Sequence, residues 1–265
     1  MTPAAAASTP RSSAAEPNHL PAIHVGCAGW SIPAQHAAHF PDGSSHLARY
    51  AQVFNAVEIN SSFYRPHRPT TYRRWAGAVP TSFRFAVKMP RSISHLARLR
   101  DCRDVLEVFL EEVSHLDGKL GCLLLQLPPS LTWDPALALP FFDLLRRSHG
   151  GAVACEPRHA SWFHAAVSIA LRDRGIARVA ADPARFPRAA VPAGNRSLQY
   201  LRLHGSPRMY YDAYFVSTLQ QIAQRLRRPT ANTADRWCIF DNTAAGHATG
   251  DALTVLGQLR ADPVD

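Results

Sequence analysis

The sequence predicts an α/β protein whose eight parallel strands close into a barrel with the helices outside. Three observations predict it. Apolar runs of strand length alternate with helix-length amphipathic segments through most of the chain, the order that parallel βαβ units require. Several of the strands carry polar residues on alternate positions, so that their apolar side chains look one way and their polar ones the other. In Ala56-Val57-Glu58-Ile59-Asn60, for example, Glu58 and Asn60 share one face and Val57 and Ile59 the opposite face. Finally, 265 residues suits one barrel of this kind, typically about 250 residues long. The predicted architecture is a (β/α)8 TIM barrel, one domain at 23–265 behind a disordered leader at 1–22.

The leader is rich in Ala, Pro and Ser. It lacks the positive start and apolar block of a secretory signal, and its composition is that of a disordered segment. Ile23 to Trp30 then reads as strand one, closing in a Gly-Trp turn, and Ser45 to Asn55 as a helix. Ala56 to Asn60 gives strand two, and Thr70 to Ala76 a short helix led in by Pro69. Arg84 to Pro90 is strand three, with Arg84, Ala86 and Lys88 on one face; Arg84, lower in the barrel, reads as structural. Asp101 to Leu116 is an amphipathic helix with Asp101 as its expected cap. Leu120 to Leu127 is a continuous apolar strand, as expected where both faces are buried. Pro140 to Arg147 reads as a helix, Ala152 to Arg158 as strand five, and Trp162 to Arg174 as a helix stopped by Gly175. Arg178 to Asp182 is strand six, followed by a loop rich in Pro and Arg. Ser197 to Gly205 is strand seven, with Tyr200, Arg202 and His204 on one side. Asp212 to Arg228 is helical, Trp237 to Asp241 is strand eight, and Asp251 to Arg260 is the last helix.

The formal charge is +9, and only Lys88 and Lys119 are lysines, so arginine supplies nearly all of the positive charge. That balance permits a nucleic-acid partner, but coding bias accounts as readily for arginine beside abundant alanine. The five cysteines are Cys27, Cys102, Cys122, Cys155 and Cys238. Their odd number and the absence of any Cys-x-x-Cys pair point to buried core residues in a reducing, cytoplasmic setting. No uninterrupted apolar run has membrane-spanning length, so no membrane partner is expected.

Barrel active sites gather at the carboxyl ends of the strands. Those ends offer Glu58 and Asn60, Lys88, Gln126, Glu156 and Arg158, Asp182, Arg202 and His204, then Asp241 and Asn242. Removing ions from water costs several kcal/mol unless they are paired and hydrogen-bonded, so this density of ionisable groups points to a site. The plainer reading is a ring of ion pairs that only fixes strand register. Lys88, Arg158 and Arg202 have the chemistry to clamp phosphate or carboxylate oxygens. Glu58, Glu156, Asp182 and Asp241 are candidate general bases, and His204 a candidate acid or base. Trp30, Tyr64, Trp162 and Tyr210 lie just beyond strand ends, where an aromatic ring can stack on a sugar or base. His95, His159 and His204 accompany the carboxylates, but neither a His-x-His pair at the end of strand one nor a His-Glu-x-x-His helix occurs. No metal ligand is therefore assigned. A Schiff base at Lys88 stays open. No Gly-x-Gly-x-x-Gly or phosphate-loop motif is present, which argues against nucleotide-cofactor redox chemistry; the cofactor, if any, is unknown.

Five stretches resemble the signature of the YecE-like family of uncharacterised barrel proteins. They are Val57 to Tyr64, Phe85 to Lys88, Leu125 to Pro129, Glu156 to Trp162, and Tyr200 to Gly205 with Tyr210 and Tyr211 following. The resemblance covers nearly everything after the leader and implies a TIM barrel, but little biochemistry. The barrel's similarity to metal-dependent endonucleases that repair abasic DNA implies nucleic-acid binding by fold analogy alone. There are two departures from the pattern: Pro157 stands where an aromatic is common, and Asp241-Asn242 where two asparagines are common.

The leading expectation is an enzyme acting on a small anionic, phosphate-bearing substrate, by phosphoester hydrolysis. Glu58, Lys88, Glu156, Asp182, His204 and Asp241 are its expected catalytic groups. Trp30, Asn60, Tyr64, Gln126, Arg158, His159, Trp162, Arg202, Tyr210 and Asn242 are its expected binding groups. The alternatives are a non-catalytic module for nucleic acid or another polyanion, with a basic groove outside the lumen, and a carbohydrate-active enzyme using paired carboxylates.

Overall fold

Helix starts and stops follow local chemistry in the computed structural model, which describes residues 22–228 and 235–261. The expected leader at 1–22 lies outside them except for Ala22, which opens the first strand. Helix α1 (His46–Tyr50) is capped by the Ser45 hydroxyl accepting from the Ala48 amide. It is half the expected length. α2 (Pro69–Gly77) begins on its proline, as read from the sequence. α3 (Arg103–Ser114) buries Leu106, Phe109 and Val113. Its cap position is Cys102, not Asp101, because the chain reaches the helix through left-handed turns at Arg98, Leu99 and Asp101. α4 (Pro135–Ser148) starts five residues earlier than expected: Asp134 accepts from the Ala136 amide and Pro135 takes the first position. Pro140, read as the start, sits inside the helix. The expected helix from Trp162 is a short 3-10 turn, Ala160–Phe163, followed by α5 (Ala165–Asp173). Gly175, at φ +66°, ends it as anticipated. α6 (Val216–Arg227) and α7 (His247–Arg260) complete the helices among the described residues.

The strands are β1 (Ala22–Cys27), β2 (Ala56–Ile59), β3 (Arg84–Lys88), β4 (Leu120–Gln126), β5 (Val153–Glu156), β6 (Ile176–Arg178), β7 (Ala180–Asp182), β8 (Ala193–Gly194), β9 (Leu198–Leu203) and β10 (Asp235–Phe240). They hydrogen-bond as two sheets, ordered β1-β10-β9-β7 and β2-β3-β4-β5-β6-β8, rather than as one continuous ladder of eight. Every pairing is parallel except β6 with β8. The protein is therefore an α/β fold with parallel sheets. The expected sixth strand is divided at Val179, its first half pairing with β5 and its second with β9. β1 and β2 meet through a single bridge, Ala28 with Glu58, and the Gly29 amide donates to the Glu58 carbonyl. β8 falls within the expected loop; Gly194 permits it, since a Cβ there would stand 2.3 Å from the Ile176 carbonyl oxygen.

Alternation sorts the strand side chains into two clusters. Val57, Phe85, Leu123, Cys155, Leu201 and Phe240 pack with helix residues such as Leu106, Phe142 and Val255 in the larger one. Ala56, Ala86, Leu124, Ala154, Tyr200 and Ile239 form a smaller one on the other face. The two sheets bring these second faces together. A Cβ on Gly121 of β4 would stand 2.6 Å from the Trp237 ring of β10. All five cysteines are buried and unpaired. No helix among the described residues is long and apolar enough to cross a membrane.

Candidate functional site

Above the smaller apolar cluster, the same alternation carries ionisable groups to the strand ends. Arg202, on β9, is wholly buried at their centre. Its Nε and Nη2 donate to the two oxygens of Glu58 at 3.0 and 2.7 Å, and its Nη1 to Glu156 Oε2 at 3.0 Å. Nη2 also stands 3.0 Å from Asp241 Oδ2. A planar guanidinium with five donors is suited to serve three carboxylates at once.

A second tier surrounds this centre. His204 lies between two carboxylates, with Nδ1 3.0 Å from Asp241 Oδ2 and Nε2 3.2 Å from Glu156 Oε1. Arg158, just past β5, donates through Nε and Nη2 to Glu156 Oε1 at 3.1 and 3.0 Å, and through Nη2 to the Tyr210 hydroxyl at 3.0 Å. Gln126 Nε2 donates to Glu156 Oε2 at 3.0 Å, and the Tyr200 hydroxyl to Glu58 Oε2 at 2.9 Å.

These contacts set the protonation of the cluster. Burial works to raise the Glu156 carboxyl, but the charges of Arg202, Arg158 and His204 outweigh it and hold it well below the usual carboxylate range. Asp241 is likewise lowered, with burial overcome by Arg202 and by His204. Burial opposes the charged form of His204, yet Glu156 and the hydrogen bonds to Asp241 and Glu156 raise its value. In the network Glu58, Glu156 and Asp241 are the acidic partners of Arg202, Arg158 and His204.

Lys88 stands beside this network. Its Nζ lies 4.1 Å from the centroid of the Phe63 ring, and it has no carboxylate within ion-pair distance among the described residues. Burial first, and then the Arg202 charge, push it down to about 8, against the pull of Glu58, Asp241 and Glu156. The Ser62 hydroxyl fixes the local backbone by donating to the Lys88 carbonyl at 2.6 Å.

Of the residues expected at the site, Glu58, Gln126, Glu156, Arg158, Arg202, His204, Tyr210 and Asp241 meet, with Lys88 adjacent. The others make different contacts. Asp182 lines a cleft with Thr218 and Arg225 on the helix side of β7, because Ala177 and Val179 face inward and put the even positions that follow outward. Trp162 is core: its Nε1 donates to the Leu131 carbonyl at 2.8 Å and its ring packs on Trp133 and Phe142. His159 accepts from the Ser161 amide and starts the 3-10 turn. Asn242 donates to the Asp212 carbonyl and to Asp251, fixing the loop before α7. Trp30 packs edge-on against Trp75, Tyr64 is exposed, and the Asn60 side-chain oxygen is buried without a hydrogen-bond partner. Two residues beside the cluster are not among the expected catalytic or binding groups. Tyr200 was legible from its alternation with Arg202; Phe63, beneath Lys88, had no such signal.

Glu156, Arg158 and His204 also line a cavity of about 120 Å³ closed by Arg185, Phe186 and Met209. Among the described residues no group of three or more His, Cys, Asp or Glu is arranged to hold a metal ion; the Arg202 guanidinium occupies the point where these carboxylates converge.

With this geometry in place, comparison with known proteins locates the chain. It is 34% identical to UPF0759 protein YecE of Escherichia coli strain K12 over 166 residues, 60% of this chain and 59% of that protein's length. It is 22% identical to UPF0759 protein YunF of Bacillus subtilis over 88% of this chain and 93% of that protein. Its fold is shared with a crystal structure of a DUF72 family protein from Thermotoga maritima, at TM-score 0.75 and 22% identity over 91% of this chain and all of that one. A DUF72 family protein from Enterococcus faecalis superposes at TM-score 0.74 and 20% identity, over 90% of this chain and 96% of that one. A family profile described as "Protein of unknown function DUF72" matches residues 24–264, and the chain accordingly belongs to that family of uncharacterised proteins.

Proposed function

We propose that the two sheets are arcs of one (β/α)8 barrel and that the charged cluster at its mouth is an active site for a small phosphate-bearing substrate. Phosphoester hydrolysis is the reaction assigned to it. The observation that carries this reading is the cavity beside the cluster, where Arg158 and Arg185 offer cationic groups and where Glu156 and Asp241 favour the protonated form of His204 against its burial. A phosphoryl group seated there receives charge-assisted donors as negative charge develops. Glu156 already has both oxygens engaged by donors, so its part is to hold Arg158 and His204 rather than to take a proton. Asp241, whose contacts with Arg202 and His204 are made through Oδ2, is the carboxylate left to orient water. A screen of phosphomonoesters, phosphodiesters and nucleic acids would test this. Arg158→Ala and Asp241→Asn are each expected to cut turnover by about 10²-fold or more; equal turnover in all three proteins removes the assignment. The buried, unpaired cysteines support placing this activity in a reducing, cytoplasmic setting.

A second reading is favoured by a different feature. A cleft of about 430 Å³ between α5 and β8 is lined by Arg172, Arg178, Arg188 and Arg196 and, among the described residues, by no carboxylate. It supports binding of a nucleic-acid backbone outside the barrel mouth, with affinity falling steeply between two salt concentrations. The carbohydrate reading has less support, since that chemistry keeps one carboxyl protonated whereas Glu156 and Asp241 are both held ionised.

A further inference from the structure

The two lysines of this chain have opposite surroundings. Lys119 donates to the Ala76 and Val79 carbonyls, at 2.5 and 2.6 Å, so its nitrogen is tied down by two backbone acceptors. Among the described residues, the ion pairs and hydrogen bonds of the strand-end cluster do not include the Lys88 nitrogen, whose recorded contact is the Phe63 ring. Lys88 projects from the end of β3 beside the Arg202 cluster, resting on the face of Phe63.

We propose that Lys88 is a nucleophilic amine that forms an imine with the carbonyl carbon of a small aldehyde or ketone. Nζ attacks the carbonyl carbon, the carbonyl π pair moves to oxygen, and a carbinolamine results. Both amine protons then leave with that oxygen as water, and the nitrogen lone pair closes the C=N bond. No oxidant, reductant or metal enters the balance. This chemistry goes beyond hydrolysis and does not depend on it. If the phosphate reading of the cavity is right, the substrate class is a phosphorylated aldehyde or ketone, its phosphate at Arg158 and its carbonyl at Lys88.

The environment suits the step. An amine reacts only when unprotonated, and burial together with Arg202 brings Lys88 to about 8, where a useful fraction is neutral near physiological pH. The charged and titratable groups facing it are Arg202 on β9, Glu58 on β2, Glu156 on β5, Asp241 after β10 and His95 after β3. Arg202 and the carboxylates are already engaged with one another, which leaves the amine without a counter-ion of its own.

Reductive trapping tests this on the folded, full-length protein, and a chain with two lysines makes the readout clean. The protein is incubated with glycolaldehyde or with glycolaldehyde phosphate in the presence of cyanoborohydride, and the adducts are located by peptide mass spectrometry. The expected result is one adduct, at Lys88, at least about tenfold faster than at Lys119 or the N-terminal amine, with a half-maximal rate near pH 8. Lys88→Arg, which keeps the charge and the fold, is expected to lose the adduct. Labelling of Lys88 only after denaturation, or no faster than the N-terminal amine, overturns the proposal. Trapping that is equal with and without the phosphate keeps the imine chemistry and counts against the phosphate reading alone.

Discussion

Arg202 Nη2 stands 2.7 Å from Glu58 Oε1, with both side chains wholly removed from solvent and 144 residues apart in the chain. The pair fastens β9 in one sheet to β2 in the other, and the remaining donors of the same guanidinium reach Glu156 and Asp241. Strand order alone leaves those two sheets joined by little hydrogen bonding at the β1–β2 seam, so this contact helps hold the mouth together.

Removing that cation while keeping its partners should therefore be costly. Arg202→Ala is expected to lower stability by about 3–5 kcal/mol, the usual effect of breaking a buried pair from one side. Chemical denaturation of Arg202→Ala, Glu58→Gln and the double variant measures the coupling. A loss below about 1 kcal/mol for Arg202→Ala would mean that the guanidinium is solvated rather than buried among the carboxylates.

His204 gives the pH dependence a direction. Its value in the fold is raised above the ordinary figure of about 6.5. The stability it contributes is thus full below about pH 6.5 and is lost as the pH climbs through the folded value. Glu156 and Asp241 are lowered, so their contribution is full above the ordinary carboxylate range of about 4 and is lost as the pH falls through their folded values. Between pH 6 and 7.5 the wild-type denaturation midpoint should fall, and that of His204→Gln should stay flatter. Keeping below pH 8 limits the opposite contribution of Lys88, whose lowered value makes the fold gain stability on losing its proton.

Trp162 separates core from site. Trp162→Phe removes the donor to the Leu131 carbonyl inside the Trp133–Phe142 packing, a loss expected to cost about 1–3 kcal/mol. Binding of inorganic phosphate at the charged cluster, followed by calorimetry, should be unchanged. A variant that kept its stability and lost phosphate binding would place the indole at the site after all.

Gly26 marks the other side of the β1–β2 seam. A Cβ there would stand 1.9 Å from the Ala56 carbonyl oxygen and 2.8 Å from the Tyr50 hydroxyl. The first of these is backbone and has nowhere to go. Tyr50 also accepts from the Cys27 amide and donates to that same carbonyl. Gly26→Ala should lower the denaturation free energy by about 3 kcal/mol or more; a neutral result would show that the two strands stand further apart than this.

The sequence by itself determined the alternation of strands and helices, the faces of nearly every strand, and the family. Those properties are local: the side-chain period of a strand and the periodicity of a helix are set by neighbours along the chain. It misplaced the start of α4, where Asp134-Pro135 outranks Pro140, and the cap of α3, where a left-handed turn at Asp101 intervenes. The split at Val179 and the short antiparallel β8 also escaped it, because they depend on which distant strand lies alongside.

Which strand-end residues meet was the tertiary structure's decision. Asp182 and Arg202 look equivalent as polar residues near strand ends, yet one faces the helices and the other the centre, a matter of strand phase beyond Val179. Trp162 and Tyr210 both follow strands, yet one fills the core and the other touches Arg158. The pairing of Arg202 with Glu58, Glu156 and Asp241, and the isolation of Lys88 beside them, arise only when β2, β3, β5, β9 and β10 are brought together. Coulomb energy and desolvation depend on distances through space, and no spacing along the chain records those.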